Sequence, residues 1–503
     1  MQFIIGVDIG TSGTKAIAFT IQGQVLFSAY ESYSAISLYA GQHELDPALL
    51  LEAVVKTLNE VVKNTDAKAG LSGISFSCML HSLIAVDEKG SPLTNAITWA
   101  DLRSKAYAAK IRNTAIGKKI YKYTGTPIHP MSPLCKIMWL KENQPEIFTK
   151  TYKFISIKEY IWFCFFGKYQ VDYGIASATG LFNIYKLKWY DEALMTAGIT
   201  VDRLSDPVSP VHIERVINKD YQNKLGLTHD ISFIIGGNDG CLANLGSNAV
   251  KPGEMALTIG TSGAARMTTA KPKHDPKQRI FNYMLTEDLY VSGGAINNGG
   301  IAVKWFIENF LGKQSSNAKD FTSFAETADS IAPGSDGLIF LPYLQGERAP
   351  VWDPDARAVF FGIHPGHTQQ HFMRSVIEGI SFSLYQVGLS LEETIGKIEK
   401  IYASGGFIQS KIWLQMVADI FNKQVCVTNM ADASAIGAAI MGFYALGIIH
   451  NLDETNKLIS IHQTYYPDED RHKIYQENFS VFAVLYDKLK DEFVRITNLQ
   501  EKI

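Results

Sequence analysis

Cysteine is scarce: the 503-residue chain has five, at positions 78, 135, 164, 241 and 426, none in a C-x-x-C spacing. A disulfide framework or a zinc site is therefore not expected, and a reducing cytoplasm is the natural home. Long hydrophobic runs are also missing. The longest, Tyr160–Phe166 and Ala435–Ile449, fall short of the roughly 20 residues that span a bilayer. The opening Met1-Gln2-Phe3-Ile4-Ile5 carries no basic region of the secretory type. Neither charge sign dominates: 47 basic and 50 acidic residues leave a net charge of −3, with no long run of either. That argues against a nucleic-acid partner, and the short apolar runs argue against a membrane one. No GxxxxGK[ST] occurs and no GxGxxG follows a strand pattern, so a P-loop NTPase and a Rossmann dehydrogenase are both disfavoured. With 46 % hydrophobic and 19 % charged residues, the chain has the composition of a folded protein of two to four domains.

A repeat is present. Gly-Thr-Ser-Gly occurs at 10–13 and again at 260–263. Phe3–Ile9 precedes the first copy and Met255–Ile259 the second; Thr14–Phe19 and Ala264–Met267 follow. Short apolar runs flanking a glycine-bounded turn read as β-hairpins. The matched contexts predict an internal duplication: two large α/β domains, residues 1–248 and 249–503, each opening with such a hairpin. The joint falls at Asn248–Gly253, where Lys251-Pro252-Gly253 signals a turn. Helices are expected after Asp46-Pro47, from Ser410 to Phe421, and from Asp432 toward Gly447, with Asp46, Ser410 and Asp432 as N-caps.

A Gly-Thr-Ser-Gly turn exposes N–H groups and hydroxyls without bulk, which suits phosphate oxygens. The plainer reading is a tight turn that needs glycine. Two such loops in equivalent places, facing across a cleft, favour phosphate. Asp8 precedes the first loop, and a carboxylate beside phosphates needs a cation between them, so Mg²⁺ is the implied partner. In Phe233–Gly240 an apolar strand ends in the glycine-flanked Asp239, where open α/β sheets bind ligands. A carboxylate there can accept the proton of an alcohol during phosphoryl transfer, unless it merely forms a turn. Ser404-Gly405-Gly406-Phe407 could let a flat ring approach the backbone.

These residues resemble the FGGY carbohydrate kinases, a family with the duplicated actin-like (ribonuclease H-like) ATPase fold and a catalytic cleft between its domains. Met131–Asn143 fits the family's first signature, and Ala358–Ile363 followed by His371–Glu378 fits the second. Gly346-Glu347-Arg348-Ala349-Pro350 and Asp353–Arg357 are similar to the segment that precedes the second signature. The resemblance runs from Phe3 to about Gly447 and implies an ATP-dependent kinase. By it, Asp8, Thr11, Ser12, Gly13 and Lys15 match the first phosphate motif, with Asp8 toward the metal. Gly260, Thr261, Ser262 and Gly263 match the second. Asp239 matches the catalytic base, and Gly405, Gly406 and Ser410 the adenosine segment. His81, Trp99, Asp101, Arg103 and Met131 fall on the sugar side.

Within the family, the segments around His81, Trp99 and His129 resemble the branch that phosphorylates gluconate, a sugar acid. The branch acting on xylulose, or another pentose or polyol kinase, is the alternative. His81 and Arg103 are the expected partners of a substrate carboxylate, ahead of His129 and Lys136; Arg103 could instead pair with Asp101 and shape the wall. From another class, a non-catalytic actin-like scaffold or chaperone would need ATP but no sugar. A homodimer is compatible with the sequence.

Overall fold

The computed structural model describes residues 2–39, 41–314, 318–430 and 432–500. Two mixed sheets dominate, and they follow one plan. In the first, five strands lie in the order Val25–Ser32, Gly13–Thr20, Phe3–Ile9, Leu71–Cys78, Ser232–Asn238. The second repeats this as Tyr290–Ile296, Gly263–Thr269, Glu254–Ile259, Lys400–Ser404, Gln424–Thr428. In each, the first three strands are antiparallel and the last two join in parallel. The Gly-Thr-Ser-Gly turn links the same two strands both times. This is the duplicated α/β architecture expected from the repeat.

The strand Phe3–Ile9 is apolar along most of its length because both faces are covered. Helix Pro47–Lys63 packs on one side, with Asp46 Oδ1 accepting from the Ala48 N–H at 2.8 Å. On the other side lies Ala433–Ala445, a helix from the second half of the chain. It is apolar all round because it is buried all round, which accounts for the long hydrophobic run there. Among the described residues no helix is long and apolar enough to cross a membrane.

The fifth strand of each sheet leads into a helix, Asp239–Gly246 or Ala433–Ala445, and these two helices pack on each other. Glycines set their separation. A Cβ on Gly246 would lie 1.9 Å from the Ala433 carbonyl oxygen, and one on Gly437 1.9 Å from that of Leu242. Any larger residue there would push the halves apart, and the site lies at their junction.

Ser410 caps Lys411–Phe421 as expected, accepting from the Trp413 N–H at 3.2 Å. Asp432 does not cap: no side-chain cap bond forms at Ala433–Ala445, and the carboxylate instead meets Lys15 Nζ at 2.7 Å. A charged partner across the junction outcompetes a local backbone N–H.

Candidate active site

The two glycine loops face a common cleft. Thr11 from the first and Gly260, Ser262 and Gly263 from the second line it. Tyrosines hold the first loop from behind: the Tyr33 hydroxyl donates to the Gly10 carbonyl at 2.5 Å and the Tyr33 N–H to that of Ser12 at 3.2 Å. The second loop is braced by helix Gly300–Asn309, whose leading N–H groups reach the loop carbonyls, Gly300 to Gly260 at 2.7 Å and Ile301 to Thr261 at 3.1 Å. With these carbonyls engaged, each loop retains donors for an anion.

Two carboxylates stand at the ends of strands that flank Leu71–Cys78 on either side. Asp8 accepts from Ser77 Oγ at 2.7 Å. Its carboxyl is pushed up to about 7, by burial first and by Asp239 second. Asp239 opens its helix and accepts from the Gly240 N–H at 2.7 Å. Burial raises it too, and Arg266 is the strongest opposing influence. Two buried acids, one raised in part by the other's charge, suit a cation or a transferable proton between them.

A bulge aims Asp239. The pairing of Ser232–Asn238 with Leu71–Cys78 shifts register between Ile234 and Gly237. Gly236, inside the bulge, has φ +68, and a Cβ there would sit 2.0 Å from the Phe76 carbonyl oxygen. Lys158 fills the space behind, donating to the Ile235 and Gly237 carbonyls at 3.1 and 2.7 Å while pairing with buried Asp172 at 2.6 Å.

Away from the loops, the cleft is walled by His81, Trp99, Met131, Tyr283, Arg348 and Trp352. The Trp99 indole N–H donates to Thr11 Oγ1 at 3.0 Å, tying this wall to the first loop. Arg348 lies 4.5 Å over the Trp99 ring, and its Nε donates to Asn297 Oδ1 at 2.7 Å. The arrangement is a partly aromatic pocket joined to an anion cradle, with an acid at the joint.

Residues 3–246 match the FGGY family of carbohydrate kinases, N-terminal domain, and residues 255–446 match its C-terminal domain. The chain belongs to the FGGY carbohydrate kinases. A gluconokinase from Bacillus licheniformis is 41 % identical over all of this chain and 99 % of its own. Two solved structures from Lactobacillus acidophilus superpose almost completely. A gluconate kinase does so at TM-score 0.92 and 35 % identity, covering 98 % of this chain and 99 % of its own. A ligand-bound xylulose kinase does so at TM-score 0.93 and 34 % identity, covering 99 % of this chain and 100 % of its own. Family membership sets the scaffold reading aside.

In this FGGY kinase the residues expected from the sequence fall into two groups. Thr11, His81, Trp99, Met131, Asp239, Gly260, Ser262 and Gly263 line one cleft. Asp101 and Arg103 do not, nor do Asp8, Ser12, Gly13, Lys15 and Thr261, which flank or belong to the two loops. Arg103 is buried in a triad, 2.5 Å from Glu44 and 2.8 Å from Asp101, with Trp139 against its face at 4.5 Å. Its charge is engaged by two carboxylates, and it stands outside the cleft lining.

His81 reaches the cleft but as a neutral ring. Burial lowers it to about 3, and its Nδ1–H donates to the Ala178 carbonyl at 2.7 Å. His129 is likewise buried and depressed, and its Nδ1 accepts from the Met131 N–H at 3.2 Å. Lys136 is buried under the wall and lowered to about 7, with its Nζ on the His81 and Ile97 carbonyls at 2.5 and 3.2 Å. None of these three offers a cation to the cleft.

Ser410 is occupied as a helix cap and stands outside the cleft lining, as do Gly405 and Gly406. Gly405, at φ +92, presses on the end of the strand before the second loop; a Cβ there would be 2.5 Å from the Ile259 carbonyl oxygen. Gly406 has open space around it. The sequence reading passed over Arg266, Arg348, Phe281, Tyr283 and Trp352, all cleft-lining. For Arg348 the Gly-Glu-Arg-Ala-Pro segment was an available signal. Arg266, Phe281 and Tyr283 become neighbours through strand register, and Trp352 is brought in by a loop.

Proposed function

We propose that this FGGY kinase transfers the γ-phosphoryl group of ATP to the terminal hydroxyl of D-gluconate, giving 6-phospho-D-gluconate and ADP. The observation that carries the reading is the place of Asp239, at the junction of a two-loop anion cradle and a walled pocket. In this reading residues 1–248 supply the first loop, the acceptor wall and Asp239, and residues 249–503 supply the second loop and the nucleotide side. Gluconate is favoured over xylulose by the 41 % identity to a gluconokinase over the full chain, against 29 % to a xylulose kinase over 99 % of it.

Asp239 accepts the proton of the attacking hydroxyl as its oxygen bonds to the γ-phosphorus and the bond to the β–γ bridging oxygen breaks. Burial raises its basicity toward that task. The N–H groups and hydroxyls of residues 10–13 and 260–263 hold the phosphate oxygens. Asp8 would hold a Mg²⁺ ion accompanying ATP, and the ion would supply charge neutralisation to the phosphates during transfer. The residues present fit it, because Asp8 is a carboxylate that burial and Asp239 leave short of positive charge. Closure of the two halves would exclude water, which otherwise competes as phosphoryl acceptor. The test is ADP release from MgATP with gluconate, xylulose or no acceptor. Dependence on gluconate is expected; a preference for xylulose would overturn the substrate and leave the kinase standing.

A further inference from the structure

A gluconate carboxylate entering this cleft must exchange its hydration for donors, and for a buried anion a cation among them matters most. Resting on the reading of gluconate as acceptor, we propose that Arg266 is the residue that receives the acceptor's carboxylate. The cations expected to do so are engaged elsewhere or uncharged. Arg103 is held by Glu44 and Asp101, Lys136 by two carbonyls under the wall, and His81 is neutral. Arg348 lines the cleft, but its Nε is on Asn297 and an NH2 group on the Ile296 carbonyl at 3.2 Å.

Arg266 differs. Among the described residues its side chain makes one hydrogen bond, a 3.5 Å contact from NH1 to Thr258 Oγ1. A guanidinium carries five N–H donors in a planar fork matched to a carboxylate, so most of that capacity is unspent. Among the described residues it also forms no ion pair, although Asp239 is the strongest charge acting on it. Its place suits the acceptor rather than the phosphates. On strand Gly263–Thr269 it lies beyond the loop, in register with Gly293, which in turn pairs with Phe281. Phe281 and Tyr283 belong to the pocket wall.

Two glycines make room for it. A Cβ on Gly293 would stand 2.9 Å from Arg266 Cγ, and one on Gly240 3.4 Å from its Nε. The side chain thus lies flat beside the residue that follows Asp239. A longer side chain at 240 would contest the space the guanidinium fills. Arg266 is a specificity residue: it discriminates an acid from the corresponding neutral polyol, while Asp239 does the proton transfer.

The test compares D-gluconate with D-glucitol, which has CH₂OH in place of the carboxylate, in the wild type, Arg266→Gln and Gly240→Asn. MgATP-induced thermal shifts report whether each variant is folded. Losing a charge-assisted bidentate contact should raise KM for gluconate by about 10–100-fold, with KM for ATP unchanged and the gluconate-over-glucitol preference largely gone. Gly240→Asn, which crowds the guanidinium, should move in the same direction. An Arg266→Gln enzyme that keeps its preference for gluconate overturns the inference. So does one that loses kcat equally on both acceptors or raises KM for ATP, since the arginine then serves the phosphoryl group. Failure of the underlying substrate reading would show in the wild type instead, as no turnover of gluconate.

Discussion

Lys15 Nζ lies 2.7 Å from Asp432 Oδ1, joining the strand after the first glycine loop to the start of the helix from the other half. Both side chains remain about one-third exposed, at 31 and 33 %. A pair of that kind is worth about 0–1 kcal/mol, so an arriving phosphate can displace the carboxylate. With Lys15 on the nucleotide side, as the proposed function has it, Asp432 would compete with nucleotide for it. Asp432→Ala should leave the melting temperature nearly unchanged and lower KM for ATP by about two- to fivefold. Lys15→Met should raise that KM by tenfold or more. Equal effects of both variants on gluconate KM, with ATP unaffected, would remove Lys15 from the nucleotide side.

Asp8 trades stability for function. Its carboxyl titrates at about 7 in the folded protein against 3.8 for the free side chain. Below pH 3.8 it is protonated in both states. As pH rises toward 7 the unfolded chain ionises while the folded one holds its proton, so stability is lost across that window. The upper bound is about 4 kcal/mol. Asp8→Asn keeps an acceptor for Ser77 Oγ and removes the titration. Without ligands it should melt above the wild type at pH 8, melt with it near pH 4, and lose activity throughout. Melting curves at the two pH values decide this; a variant less stable at pH 8 would show that Asp8 is not strained there.

Arg103 is expected to contribute to folding rather than to selectivity. Its side chain is 8 % exposed and serves Glu44 and Asp101, themselves 11 and 2 % exposed. Arg103→Leu leaves two buried carboxylates without their cation, a loss of about 3–5 kcal/mol. Chemical denaturation should report that loss. The ratio of kcat/KM for gluconate over D-glucitol should stay within threefold of the wild type in whatever fraction remains folded. A selective loss of gluconate turnover at unchanged stability would return Arg103 to the substrate.

The sequence exposed what is locally encoded. A glycine turn between two apolar runs is written in about twenty consecutive residues, so both loops and both hairpins could be read, and their duplication gave the paired sheets. Asp8 and Asp239 were visible because each ends an apolar strand. What could not be read depends on partners far along the chain. Arg103 meets Glu44 only after folding, and Asp432 leaves its capping position because Lys15 arrives from the other half. Arg266 faces the cleft because Gly240 and Gly293, from two different elements, leave it room. The bulge at Gly236 that aims Asp239 is likewise a product of register with Leu71–Cys78.

The paired loops should act on nucleotide. Replacing Thr261 and Ser262 together with Ala should raise KM for ATP or lower kcat while gluconate affinity, read by equilibrium binding, changes little. Two hydrogen bonds to a charged group are worth about 3–6 kcal/mol if additive. An unchanged response to ATP would make the second loop a structural turn.

The most direct test of the central claim is a ³¹P NMR assay of MgATP with D-gluconate, run on the wild type and on Asp239→Asn. The amide preserves shape but takes no proton, and losing a general base lowers rates by about 10²–10⁴. The account predicts a sugar-phosphate monoester resonance growing with ADP in the wild type. In the variant the rate should fall at least a hundredfold, while ATP and gluconate still bind. Gluconate phosphorylation in Asp239→Asn within tenfold of the wild-type rate would contradict it.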